Sequence, residues 1–182
     1  MTKQSESRSL RNIPVIDIFA GPGGLSEGFV SSANGRIRFD VRLSVELDPV
    51  ACETLRLRQF FHLSNKSSAR DSYYELMQRK IDKVELRDRH PSVWQEARDR
   101  IIQAELGDDA NRLDVHDQIR RRIGASDFVL IGGPPCQAYS VIGRSRRLGI
   151  GAGIDGALAA HTRKNLKLTS SLTPNTVSIA NI

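Results

Sequence analysis

The chain has little that could cross-link it or hold it in a membrane. Its 182 residues include two cysteines, Cys52 and Cys136, far apart and with no Cys-x-x-Cys pair. That spacing argues against a zinc site and fits free thiols in a reducing compartment better than a disulfide. No apolar run approaches the roughly 18 residues a membrane-spanning helix needs. Residues 1–12 are polar and lack the apolar centre of a secretory signal. Aromatic residues make up only 5% of the chain, and none follows Tyr139. These absences exclude a disulfide-stapled domain and a membrane-spanning protein. They predict a cytoplasmic, nucleoid-associated location.

What is present is enough for one domain with a real core. Hydrophobic content is 39% and charged content 26%, within the ordinary range. Net charge is +6. Much of the excess sits after Gly143, where six Lys or Arg face one Asp. A solvated basic tail is one reading. Contact with nucleic-acid phosphates is the sharper one, because clustered positive charge attracts a polyanion without reading its sequence.

Ile13 to Phe19 is a short apolar run carrying one carboxylate, Asp17, and reads as a buried parallel strand. Glycines at 21, 23 and 24 break it, and Leu25, Phe29 and Val30 resume at helical spacing. Phe39, Val41, Leu43 and Val45 then alternate with Asp40, Arg42, Ser44 and Glu46, the period of a second strand. Asp48-Pro49 supplies an N-cap and a first-turn proline for a helix running to about Phe61. Residues 62–107 are charge-rich and read as helices packed outside the sheet, an insertion. Within them Ser92-Val93-Trp94-Gln95 predicts a capping box, with Val93, Ala97, Ile101 and Ala104 on one helical face. A third strand is expected near Gln103 to Leu106, a helix over Val115 to Ile123, and a last strand over Asp127 to Ile131. Strands alternating with helices predict an α/β, Rossmann-like, doubly wound parallel sheet. After Arg147 nothing reads as a core strand. Residues 148–182 are expected to form a weakly ordered basic tail, residues 1–12 a flexible terminus, and residues 13–147 the folded part.

Two segments carry chemistry, each directly after an apolar run. The first is Phe19-Ala20-Gly21-Pro22-Gly23-Gly24-Leu25. Ligands of open parallel sheets bind beyond the carboxyl ends of the strands, and glycines there let the backbone come close. No Gly-Lys-Ser/Thr follows, so this is not a P-loop, and Ser26 stands where a dinucleotide fingerprint has its third glycine. A cofactor without a pyrophosphate is favoured. Glu46 ends the second strand, where a carboxylate can accept both ribose hydroxyls. S-adenosylmethionine fits: it has a ribose, an adenine, no phosphate and a sulfonium cation that the Phe19 ring could face. The alternative is a plain tight turn beside a surface acid. The second segment is Gly132-Gly133-Pro134-Pro135-Cys136-Gln137. Its two prolines fix two φ values and present Cys136 rigidly. Cys52, in a helix beside Val50 and Ala51, reads instead as a small buried hydrophobe.

Asp17-Ile18-Phe19-Ala20-Gly21-Pro22-Gly23-Gly24-Leu25 resembles the first motif of DNA (cytosine-5)-methyltransferases. Gly133-Pro134-Pro135-Cys136-Gln137-Ala138-Tyr139-Ser140 resembles their catalytic cysteine motif, and Val45-Glu46-Leu47-Asp48 is similar to their ribose-holding acidic segment. The resemblance covers about Ile13 to Arg147. It implies S-adenosylmethionine as cofactor, contacted by Phe19, Gly21, Gly23, Gly24, Leu25, Glu46, Leu47, Asp108 and Pro134. For the aspartate that meets the adenine amino group, Asp108 is the nearest match and Asp114 its rival. Double-stranded DNA is the implied partner, met by Gln137, Ser140, Arg144, Arg146 and Arg147. The implied reaction flips a cytosine out of the duplex. The Cys136 thiolate adds to ring carbon 6, carbon 5 takes the methyl group, a base removes the carbon 5 proton, and the thiolate leaves.

The sequence departs from that family after Gly149. No Glu-Asn-Val segment follows Cys136, nor does the later arginine segment, the target-recognition domain or the returning final helix. The expectation is a truncated catalytic domain, inactive alone, or one subunit of a split enzyme completed by a second polypeptide. A non-catalytic module that binds S-adenosylmethionine or DNA is the alternative.

Overall fold

The computed structural model describes residues 10–65, 67–106, 109–133 and 177–180, with backbone alone for 109–113 and 177–180. Five parallel strands form one sheet in the order β3-β2-β1-β4-β5: β1 (Arg11–Ile18), β2 (Ile37–Glu46), β3 (Ile101–Gln103), β4 (Val129–Gly132) and β5 (Val177–Ala180). The helices are α1 (Gly24–Ser31), α2 (Pro49–Leu63), α3 (Ser68–Met77), α4 (Lys83–Arg89), α5 (Pro91–Asp99) and α6 (Asp109–Ile123).

Strand alternation sorts the apolar residues onto two faces. Val15, Val41, Val129 and Ile131 meet Phe29 and Val30 of α1 on one side. Ile16, Leu43, Val45 and Leu130 meet Val115, Ile119 and Ile123 of α6 on the other. α2 lies on the α1 side, where Cys52 and Leu55 pack with Ala20 and Ile101. The chain therefore winds one way from β1 through α1 and α2 to β3, then crosses the opposite face through α6 to enter β4. That reversal leaves a crevice between the carboxyl ends of β1 and β4, the place where open α/β sheets bind ligands. This is the Rossmann-like, doubly wound α/β architecture expected from the sequence.

The charge-rich middle of the chain does form helices outside the sheet. Phe60 of α2 packs with Ala69, Leu86 and Ala97 from α3, α4 and α5, and Trp94 closes the cluster. Two details differ from the expectation. α5 starts at Pro91, with His90 at its N-cap, rather than at a Ser92 box. A proline suits the first helical position because its missing N–H has no intrahelical acceptor there. The helix stops at Asp99, and Ile101 and Ala104 are not on it. Ile101 instead opens β3, paired with Ser44, so the third strand comes two residues earlier than expected. Two adjacent β-branched residues beside a free strand edge outweigh the helical spacing.

The other difference is β5. The residues after Arg147 were expected to hold no core strand. The backbone of Val177–Ala180 nevertheless runs parallel to Val129–Gly132, covering the edge of β4 that would otherwise be open. Among the described residues, no helix is long and apolar enough to cross a membrane.

Gly132 is required by the close approach of β1 and β4. A Cβ there would lie 2.5 Å from the Ile18 carbonyl oxygen and 2.8 Å from Ile18 Cγ1. Backbone in a parallel pair cannot yield cheaply, so Gly132→Ala is expected to destabilise the fold by about 1–3 kcal/mol. Gly133→Ala, with open space at the same distance, is the control. Urea unfolding of both variants checks this; equal midpoints would contradict it.

Candidate functional site

The glycine turn follows β1 directly. Phe19 has a φ of 55°, Gly21 54° and Gly23 87°. A non-glycine residue in the left-handed region costs of order 1 kcal/mol or more and marks a turn held by its surroundings. Gly23 has a second constraint: a Cβ would lie 2.8 Å from Leu55 Cδ2 and 3.2 Å from Arg58 Cδ on α2. Gly24 has neither constraint; it is the first residue of α1 and a Cβ there would meet nothing within 4 Å. The loop is thus pressed against α2 at Gly23 and open at Gly21 and Gly24.

Glu46 fixes the loop from the side of β2. Its Oε2 accepts from Gly21 N at 2.7 Å. Its Oε1 accepts from Leu47 N at 2.8 Å and Asp48 N at 2.9 Å. One carboxylate therefore joins the ends of β1 and β2. A carboxylate oxygen has two acceptor directions, so Oε2 keeps one for a hydroxyl. Asp48 caps α2 as expected, accepting from Val50 N at 2.7 Å with Pro49 at the first helical position. Such a cap contributes about 1 kcal/mol.

The apolar candidates lie around this turn. Phe19 packs half-buried against the α6-side core. Leu25 and Leu47 are exposed, at 40% and 56%, as is Val50 at 73%. Exposed aliphatic groups beside a glycine loop at the strand ends suit the flat face of a base. Cys52 is fully buried, its Sγ 3.6 Å from the Glu46 carbonyl, and burial pushes its thiol above the ordinary range. That is the inert small hydrophobe expected for it. Glu27, in the first turn of α1, meets His62 Nε2 at 2.9 Å and Arg58 Nη1 at 3.1 Å. Burial pushes Glu27 up, but His62 and Arg58 outweigh it and hold the carboxyl below its usual value. These contacts tie α1 to α2 and so brace the loop between them.

Gly132 is the register partner of Ile18, so the two motif-bearing segments leave adjacent strands at the same end of the sheet. The catalytic candidate Cys136 lies outside the described residues, as do the cofactor candidates Pro134 and Asp108 and the DNA candidates Gln137, Ser140, Arg144, Arg146 and Arg147. Asp114, the rival of Asp108, is an exposed residue of α6.

One further residue belongs with this site. Asp17 is fully buried on β1, and neither carboxylate oxygen has a hydrogen-bond partner among the described residues. Burial first, and the nearby Glu46 charge, raise its pKa to about 7. The Ser26 hydroxyl pulls the other way, but its proton is directed to the Gly23 carbonyl at 3.2 Å. Ser44, the register partner of Asp17, is also fully buried, and its Oγ has no partner among the described residues. Buried polar groups are nearly always bonded, so this pair beneath the loop is unusual. The available signal was a single carboxylate inside an otherwise apolar strand.

Two curated proteins match the chain in sequence. The type II methyltransferase M.Bpa9945I of Bacillus paralicheniformis is 30% identical over 149 residues, covering 72% of this chain and 32% of that protein. The chain is similar to type II methyltransferases. A protein of Oceanobacillus iheyensis named as a candidate type II methyltransferase, M.OihORF3336P, is 29% identical over 141 residues, covering 75% of this chain and 21% of that protein. The chain thus spans about a third or less of the length of these relatives. No family model and no solved structure matches it.

Asp17 makes stability depend on pH with a definite sign. The unfolded chain releases this proton near 3.8, whereas the fold retains it up to about 7. Between those values the folded state binds more protons, so stability falls as pH rises and levels off above about 7. The full effect is on the order of 4 kcal/mol. Asp17→Asn is expected to flatten this part of the stability curve and to melt higher than the unaltered chain at pH 8. Parallel slopes for the two proteins between pH 4 and 7 would contradict this assignment.

Proposed function

We propose that this chain provides the cofactor crevice and the nucleophile of a DNA (cytosine-5)-methyltransferase. The observation that carries the reading is the pairing of Ile18 with Gly132. It sets the end of β1, which leads into the glycine loop, beside the end of β4, after which the sequence runs on to Cys136. Cys136 follows Gly132 by four residues in the sequence. The similarity to type II methyltransferases supports methyl transfer to DNA, and the two sequence motifs support the cytosine-5 chemistry.

S-adenosylmethionine fits the residues at the crevice and would supply an electrophilic methyl group. Glu46 would hold the ribose through the acceptor direction left on Oε2, while its three amide bonds keep the carboxylate oriented. Gly21 and Gly24 leave room for close approach, and the exposed Leu25, Leu47 and Val50 would cover the adenine. Phe19 would lie beside the sulfonium. Cys136, as thiolate, would add to carbon 6 of a flipped cytosine, raising electron density at carbon 5. After carbon 5 gains the methyl group and loses its proton to a base, the carbon–sulfur bond breaks and the thiolate is restored. Gln137, Ser140, Arg144, Arg146 and Arg147 would hold DNA phosphates around the extruded base.

Two measurements test this reading. Isothermal titration with S-adenosylmethionine is expected to show binding that Glu46→Ala weakens at least tenfold; equal affinity would remove Glu46 from the site. Incubation with S-adenosylmethionine and DNA containing 5-fluorocytosine tests the thiol. Any covalent complex formed by the chain is expected to disappear in Cys136→Ser and persist in Cys52→Ser. Equal trapping by the two variants would overturn the role of Cys136. Cofactor binding without any trapping would favour a non-catalytic binding module.

A further inference from the structure

Away from the crevice, a cavity of about 600 Å³ opens along the free edge of β3. Three elements meet there. α2 contributes Arg56, the end of α5 contributes Arg98 and Asp99, and the last turns of α6 contribute Gln118, Arg121 and Arg122. Four guanidinium groups surround the space and one carboxylate answers them.

The carboxylates nearby are already engaged. Arg56 pairs with Glu53, which also meets Lys83. Asp99 Oδ1 accepts from Gln95 Nε2 at 2.8 Å. Arg100, the next residue, is satisfied by Asp40 and Glu96. Arg122 donates to the Asp99 carbonyl, while its own carbonyl accepts from Arg42 Nη1 at 2.7 Å, which pins the end of α6 to β2. Arg98 and Arg121 are exposed and make no ion pair among the described residues. The Nε atoms of Arg56 and Arg122 are buried and have no hydrogen-bond partner among the described residues. Burial, and the neighbouring Arg100 charge, hold Arg122 below the usual guanidinium range despite the opposing pull of Asp99.

Like charges collected around an open cavity repel one another, and a multivalent anion relieves that cost. Guanidinium forks match the paired oxygens of a phosphate. The volume is large for a single small anion and admits a run of linked phosphates. We propose that the β3-edge cavity is a phosphate-binding site in which Arg98 and Arg121 make the direct contacts and Arg56 and Arg122 supply fixed positive charge. The phosphates come from a nucleic-acid backbone or from a free polyphosphate. The site is separate from the methyl-transfer reading, since it includes neither the glycine loop, Glu46 nor Cys136.

The test uses the full chain and two probes, a 20-base-pair duplex and inorganic tripolyphosphate. Affinities are measured across a salt series for the unaltered chain, for Arg98→Gln with Arg121→Gln, and for a control pair, Arg36→Gln with Arg38→Gln. The control removes the same charge from exposed positions outside the cavity. If the backbone is the source, the first pair is expected to weaken duplex binding about tenfold or more. It should also reduce the slope of log affinity against log salt by about 2, one phosphate contact for each arginine. If a free polyphosphate is the source, the loss appears with tripolyphosphate instead. The control pair should change either probe much less. Thermal melting of the variants confirms that they fold. Should the glutamine pair lower the melting midpoint, Arg98→Lys with Arg121→Lys replaces it. That pair keeps the charge and loses the fork, so it should preserve the salt slope while weakening the probe that binds. The proposal is overturned if neither probe binds, if the cavity and control pairs have equal effects, or if the lysine pair matches the unaltered chain with both probes.

Discussion

The Glu46 carboxylate accepts three backbone N–H groups from two loops, one after β1 and one after β2. Without it, Gly21 on one side and Leu47 and Asp48 on the other would lose a common acceptor. Hydrogen bonds to an ionised acceptor are among the stronger ones in proteins, about 1.5–3 kcal/mol each in net terms. The crevice takes its shape from that contact. Gly21 is held toward β2 while Gly23 lies against Leu55 and Arg58 of α2, and α1 starts from this turn. Glu27 then ties α1 to α2 through Arg58 and His62, so the loop is braced from both ends.

Beneath this frame the sheet carries a local conflict. Asp17 and Ser44 sit side by side, fully buried and without partners among the described residues, where the surrounding strands bury aliphatic groups. Isolated buried charge is avoided by taking up a proton, which is what the raised Asp17 pKa expresses. Departures from ordinary packing of this kind tend to lie at functional sites. This one lies directly below the loop. The two sides of the molecule also differ electrostatically. The crevice end gathers Glu46 and Asp48, whereas the β3 edge gathers four arginines beside the single lining carboxylate of Asp99.

The long periodic elements were legible from the chain. β1, β2, α2 and β4 follow from alternation, from a continuous apolar run, or from the Asp48-Pro49 start, all of which are local signals. The glycine loop and Glu46 were legible for the same reason: both sit at the ends of such elements. β3 and the start of α5 were less so. Ile101 fits a helical stripe and a strand equally well, and only the edge of β2 beside it decides. β5 carried no readable sign, because Val177–Ala180 is four residues long and lies in a segment rich in Ser, Thr and Asn.

The sequence by itself determined which residue types are available: a glycine turn after a strand, an acid at the end of the next, and a cysteine behind two prolines. These follow from local preference and spacing, which act over a few residues. Only the tertiary structure decided what meets what. Ile18 lies beside Gly132 because α6 crosses the opposite face of the sheet from α1 and α2. Glu46 turns its oxygens toward amides 25 residues away and nearer. The arginines of α2, α5 and α6 surround one cavity although they are spread over more than 60 residues of the chain, from Arg56 to Arg122. Such contacts depend on how faces are buried across the whole sheet, and that is a property of the assembled core rather than of any short segment.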